Sequence, residues 1–249
     1  MMTLFLAKIF LFLPFYLGID PAYLLITLGA MVAGMMVQGR LKSVLAANSQ
    51  IPTPNGMSGE EVARKMLHDN GIDDVKIESV EGFLSDHYNP ATKTVNLSPD
   101  VFNGRSITAA SIAAHECGHA VQHARSYAWL NLRSTLVPIT QFSSRMTVFV
   151  IIAGLLLSGM RVAFGTDLFL AGIILFGVTT LFSLITLPVE FDASRRGLAW
   201  LNESKFLQGD AYEQAKTGLH WAAMTYVVSA LASIATLLYY IMLFNRSRN

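Results

Sequence analysis

The residues Ala114-His115-Glu116-Cys117-Gly118-His119-Ala120 place two imidazoles four positions apart, with a carboxylate directly after the first. On a helix, positions i and i+4 project from one face. His115 and His119 can therefore hold one Zn²⁺ between them at about 2.0–2.1 Å each. Glu116 is not a ligand in this geometry. It stands beside the metal, where it can take a proton from a water whose pKa zinc lowers to about 7. A five-residue pattern of this kind also arises by chance. Here it sits among small and apolar residues, where imidazoles and a carboxylate need a reason.

A third ligand must come from elsewhere. His123 lies on the same face, but at about 1.5 Å of rise per residue it is about 12 Å along the axis from His115, too far to share one ion. A three-histidine arrangement on one helix is thus excluded. Glu190, in Leu187-Pro188-Val189-Glu190-Phe191-Asp192, is the better choice. The bland reading of Glu190 and Asp192 is a solvated acidic helix start, salt-bridged to Arg195 and Arg196. Two long apolar segments separate His119 from Glu190. An even number of spans returns the chain to its starting side, so the ligand set is topologically possible.

The composition agrees with spans. Of 249 residues, 53% are hydrophobic and only 14% charged, against about 25% charged in a soluble domain. The mean hydropathy is +0.45. A net charge of +1 offers no electrostatic case for nucleic acid, and one cysteine excludes an internal disulfide framework. A bilayer core requires about 20 mostly apolar residues per helix. The segments Ala22 to Gln38, Met146 to Met160, Leu168 to Leu187 and Trp221 to Phe244 meet that description. Tyr239, Tyr240, Arg246 and Arg248 read as interfacial anchors of the fourth. Residues 4–19 are apolar but carry Lys8 and Pro14, and read as an interfacial or re-entrant helix or a short first span. Basic residues concentrate on the flanks of the polar blocks (Arg40, Lys42, Arg133, Arg145, Arg195, Arg196, Lys205 and Lys216), which predicts that those blocks are cytoplasmic. Arg246 and Arg248 run against this bias.

The polar block before the second span is a small α+β unit. Ser58 and Glu61 form a capping-box pattern that opens a helix to about Asn70, stopped by Gly71. Val75, Ile77 and Ser79 alternate with polar residues as in a strand. Phe83 to Tyr88 and Lys93 to Ser98 flank the turn signal Asn89-Pro90-Ala91-Thr92, which predicts a hairpin. A helix from Ser106 or Thr108 to about Ala124 then carries the histidines. The expected organisation is an N-terminal apolar segment (1–20), a transmembrane helix (21–39), a catalytic block (40–144), two transmembrane helices (145–188), a block with the third ligand (189–220), and a last transmembrane helix with a basic tail (221–249). Gly29, Ala30, Gly34 and Gly154 are read as helix–helix contacts, and Cys117 as core packing.

On these residues the chain resembles the YugP-like neutral zinc metallopeptidases of bacterial membranes. The resemblance runs from about Pro21 to the C-terminus. It rests on Leu84-Ser85-Asp86-His87-Tyr88, Asn96-Leu97-Ser98, Ala113 to Gln122, Leu187 to Phe191 and Ala223-Met224-Thr225-Tyr226-Val227. It implies a mainly α membrane protein with about four transmembrane helices, a small zincin-like α+β catalytic domain, one Zn²⁺ per chain and a peptide or protein substrate. A more distant similarity runs to HtpX-type and CAAX-prenyl membrane proteases, whose ligand glutamate opens an E-x-x-x-D pattern. Here Ser194 stands where that aspartate would be. Either Ser194, or Asp192 from a shifted position, is then left to support a ligand histidine.

The expected chemistry is zinc-dependent peptide hydrolysis with Glu116 as general base. The donor to the developing oxyanion stays open among His87, His220, Tyr226 and Arg195. Strand Lys93 to Leu97 is expected to bind substrate backbone by strand addition. A non-catalytic scaffold stabilised by zinc is the competing class. A channel or carrier would be expected to place ionisable groups inside its spans, and these spans are almost free of them. The bilayer is an expected partner and nucleic acid is not. Substrate identity and oligomeric state are not legible from the residues.

Overall fold

The computed structural model describes residues 20–82 and 85–248. The N-terminal apolar segment therefore lies outside the described residues, Asp20 excepted, as do Phe83 and Leu84 of the predicted hairpin. The chain is mainly helical. In order it forms α1 (Pro21–Ser49), α2 (Gly59–Asp69), β1 (Lys76–Ser79), β2 (His87–Asn89), β3 (Thr94–Leu97), α3 (Pro99–Phe102), α4 (Ile107–Ala124), α5 (Ala128–Gly159), α6 (Gly165–Glu203) and α7 (Asp210–Arg248). Four of these, α1, α5, α6 and α7, are long and apolar enough to cross a membrane. Each extends past its apolar segment into polar turns. The turns at 128–144 and 189–203 are helical without being hydrophobic, so hydropathy marks the apolar stretch and not the helix end. Pro188 lies inside α6, which continues through it to Glu203. Glu190 is thus borne within a long helix and not at a helix start.

The chain divides into two compact units, residues 1–36, 136–184 and 227–249 in one and residues 37–135 and 185–226 in the other. In the first unit, Ile151, Phe169 and Ile173 form a buried cluster, with Tyr240 and Phe244 packed on it. A Cβ at Gly154 would stand 2.4 Å from the backbone nitrogen of Phe169, so this glycine does mark a close helix contact. Among the described residues, a Cβ at Gly29 or Gly34 would meet nothing within 4 Å. Tyr239 packs near Tyr23 at 5.2 Å between centroids, and Arg246 lies 3.8 Å from Asp20.

The second unit holds the sheet, α2, α3, α4 and the polar ends of the long helices. Ser58 caps α2 in the predicted capping box: its nitrogen donates to Glu61 Oε2 at 2.7 Å, and its Oγ accepts from the Glu61 nitrogen at 3.3 Å. Ser106 caps α4 by accepting from the Ala109 nitrogen. Val62, Met66, Val95, Leu97, Ile107, Ala113 and Leu201 close a single core, so α2, β3, α4 and the end of α6 exclude water together. The Cys117 thiol belongs to that core and meets the Ala63 carbonyl at 3.6 Å.

The predicted hairpin is present, with β2 antiparallel to β3 in the register His87↔Asn96, Tyr88↔Val95 and Asn89↔Thr94. The strand order, however, is β1-β3-β2, with β1 parallel to β3. This corrects the expectation that Lys93 to Leu97 binds substrate by strand addition. β3 is the central strand, paired on both sides and buried along its length, so its backbone groups are already used. The free edges belong to β1 and β2.

Helix α4 is held from two directions. The Thr108 hydroxyl donates to the Leu45 carbonyl of α1 at 2.8 Å. On its other side, α4 meets α6 backbone to backbone. A Cβ at Gly118 would lie 2.4 Å from the Ala193 carbonyl oxygen, and a Cβ at Gly197 would lie 2.8 Å from that of Ala114. Gly118→Ala should therefore lower stability by about 1–3 kcal/mol through overpacking. Thermal unfolding of the detergent-solubilised protein would show it as a lowered Tm, and an unchanged Tm would mean that the two helices separate without loss.

Candidate metal centre

The glycine contacts bring one face of α4 against one face of α6. Glu190 Oε2 lies 3.3 Å from His115 Nε2 and 3.6 Å from His119 Nε2. These three residues each offer a ligand atom within 4.8 Å of the others. The two imidazoles stand nearly perpendicular, with centroids 4.9 Å apart. His119 and Glu190 are buried, and His115 is nearly so.

The far side of each ring is already engaged. His119 Nδ1 lies 3.0 Å from Gln122 Oε1. Gln122 Nε2 donates to the Val189 carbonyl at 2.8 Å and to Asp192 Oδ2 at 2.9 Å. Both of those partners only accept, so the amide orientation is fixed, and Oε1 must accept from His119. The proton of His119 therefore sits on Nδ1, and Nε2 turns towards Glu190. His115 Nδ1 is 3.0 Å from Ser194 Oγ, which can accept in the same way. Asp192 is steadied by Arg195 and by Arg196, whose Nε is 2.5 Å from Oδ2. On the other carboxylate, Arg133 Nη1 approaches Glu190 Oε1 at 3.3 Å and leaves Oε2 facing the rings. The unprotonated His119 nitrogen and the Glu190 oxygen it faces repel one another unless a cation lies between them, and His115 Nε2 converges on the same oxygen. The donor set of two nitrogens and an oxygen fits zinc.

Glu116 is almost wholly buried. Burial pushes its carboxyl up to about 7, against the pull of His115 and with a further push from Glu190 and Asp86. The Tyr88 backbone on β2 pulls weakly in the other direction and favours the charged form. A divalent cation beside it would act in that same direction. A cavity of about 270 Å³ opens in front of His115, Glu116 and Glu190. Its lining mixes polar groups, Asp86, Ser194 and Tyr226 among them, with apolar residues of α1 and α7 such as Leu41, Leu45 and Leu219.

Residues 23–245 match the family described as "Putative neutral zinc metallopeptidase". The chain belongs to this family. It is also 38% identical over 227 residues to "Putative membrane protease YugP" of Bacillus subtilis (strain 168), covering 91% of this chain and 98% of that protein. No solved structure is significantly similar.

In this member of the zinc metallopeptidase family, the residues predicted to surround the site divide clearly. Ser194 and Asp192 both reach it, Ser194 directly on His115 and Asp192 through Gln122. Tyr226 lines the cavity together with Glu190 and Ser194. His87 does not join them. Its ring is exposed and turned back onto the Ser85 carbonyl at 2.8 Å. His220 is exposed and packs on Trp221. Arg195 is exposed and committed to Asp192. His123 meets the Tyr88 hydroxyl at 2.7 Å and is no part of the cluster. Two residues escaped the sequence reading, Gln122 and Arg133. Gln122 stands three positions after His119, hence on nearly the same helix face, and that spacing is the signal that could have found it. Arg133 carried no such signal, since its partner is distant in the chain.

Gln122→Leu removes the acceptor that holds His119 Nδ1 and leaves Asp192 one donor short. Zinc affinity should fall about 10–100-fold, measured by competition with a chromogenic chelator. Affinity equal to wild type would remove Gln122 from any part in orienting the ligand.

Proposed function

We propose that the chain is a membrane-embedded zinc endopeptidase with a zincin-like α+β catalytic unit. One zinc is held by His115, His119 and Glu190. The observation that carries this reading is the convergence of two His Nε2 atoms on Glu190 Oε2, with Glu116 beside them at a cavity. Membership of a zinc metallopeptidase family and the four candidate spans support it. The excess of basic residues beside the polar segments supports a site on the cytoplasmic face, and the Bacillus relative supports a bacterial plasma membrane.

Zinc bound there would supply Lewis acidity towards a carbonyl and a water. Glu116 is placed to take the proton of that water and return it to the leaving amine. Gln122 and Ser194 keep the imidazoles turned inwards. Arg133 holds the second Glu190 oxygen away from the rings. Tyr226 is the hydroxyl donor of the cavity and is assigned to the oxyanion, ahead of His87, His220 and Arg195, which do not line the cavity.

The decisive comparison is Glu116→Gln against Glu190→Ala. Glu116→Gln should retain about one zinc per chain and lose about 10²–10⁴-fold in peptide hydrolysis. Glu190→Ala should lose the metal as well. If both wild type and Glu116→Gln hold zinc and neither cleaves peptides, the protein is a zinc-stabilised scaffold; if both cleave alike, Glu116 is not the base. Tyr226→Phe should lower kcat by about 10²–10³-fold with zinc content unchanged. A kcat within about twofold of wild type would return the oxyanion donor to an open question.

A further inference from the structure

A second cavity of about 890 Å³ lies along the C-terminal half of α1 and the N-terminal half of α4. Leu45 and Ile112 line both this cavity and the metal chamber, so the two spaces share one wall. The metal chamber by itself, at about 270 Å³, falls at the small end of ligand sites, which run from about 300 to 1,000 Å³. It has room for the reacting peptide group and one side chain. The second cavity gives the rest of a chain somewhere to go. From Ile112 back to Ser106 its α4 wall runs about 9 Å, which matches about three residues of extended polypeptide at about 3.3 Å each. Its lining mixes apolar groups (Ala46, Val101, Ala109) with polar and charged ones of both signs (Gln50, Thr108, Lys42, Asp100, Arg105), which suits an extended backbone with varied side chains better than a purely apolar tail.

We propose that the substrate is an extended polypeptide segment that crosses the metal chamber and continues into this second cavity, so that about three residues to one side of the cleaved bond are bound. The catalytic part of this statement rests on the peptidase reading. The binding part does not. A substrate that ended at the reactive bond on this side would leave the cavity beyond Leu45 and Ile112 idle.

Binding to full-length Glu116→Gln protein in detergent, followed by fluorescence anisotropy, separates the two parts. The probes are a short peptide centred on the reactive bond and versions extended by about three residues on one side or the other. One extended peptide should bind on the order of tenfold tighter than the short one, the gain expected from partly burying a few side chains. Ala46→Trp, which lines only the second cavity, should abolish that gain and leave zinc content and short-peptide binding as they were. If no extension tightens binding, or if Ala46→Trp leaves the gain intact, the proposal is overturned. It is also overturned if Ala46→Trp changes only the lipid retained by the purified protein, seen by native mass spectrometry, because the cavity is then a lipid site. If an extended peptide binds tighter but the wild-type protein cleaves nothing, the groove stands and the peptidase reading falls.

Discussion

The whole site depends on the distance between two helix backbones. At Gly118 and Gly197, α4 and α6 approach so closely that a single added carbon would strike a carbonyl of the other helix. Without this approach, Glu190 could not bring one oxygen to 3.3 Å and 3.6 Å from two imidazoles of α4. A carboxylate side chain is short, and no rotamer of it spans an ordinary helix separation of about 8–10 Å with a bulky residue between. The small residues Ala114 and Ala193 complete the contact. Packing at van der Waals distance is therefore what permits the chemistry.

Close packing also buries polar groups, and those that support the metal ligands all have partners. Gln122 is fully buried, yet its amide uses both ends: it accepts from His119 and donates to Val189 and Asp192. Asp192 is buried too, and two arginines from the next turn of its own helix compensate its charge. An unpaired carboxylate at that depth would be strongly destabilising. The relay from arginine to aspartate to glutamine to histidine carries a fixed sense of donor and acceptor inwards and ends by setting a tautomer. Two different devices hold the two imidazoles. Ser194 serves one histidine, and the Asp192–Gln122 pair serves the other.

The local chemistry was legible where neighbours in the sequence are neighbours in space. The histidine pair with Glu116 follows from helix periodicity, and the capping box at Ser58 and the hairpin at Asn89 follow from turn and cap chemistry. Glu190 was reachable because two apolar spans constrain which side of the membrane it can occupy. What failed depends on long-range pairing. Strand addition to β3 required it to be an edge, as the resemblance suggested, but its other neighbour, β1, precedes it by more than a dozen residues and pairs in parallel. Periodicity in a single strand contains no information about which sheet edge it takes. His87 and His220 were chosen by residue type alone, and type does not determine direction. Arg133 became visible only when the Glu190 carboxylate was seen to need a partner for its second oxygen.

The same constraint explains why small residues crowd α4. A helix that must touch α2 and β3 on one side and α6 on the other has little room for large side chains. Ala109, Ala110, Ala113, Ala114, Gly118 and Ala120 satisfy these contacts, and Cys117 fills a slightly larger gap against Ala63. From His115 onwards, the long side chains of this helix are those with a polar destination: His115, Glu116, His119, Gln122 and His123. In an interior packed to crystal-like density, residue volume along such a helix therefore marks direction. Small residues identify the faces pressed against backbone, and large polar ones identify the face that opens on the metal chamber and its supports.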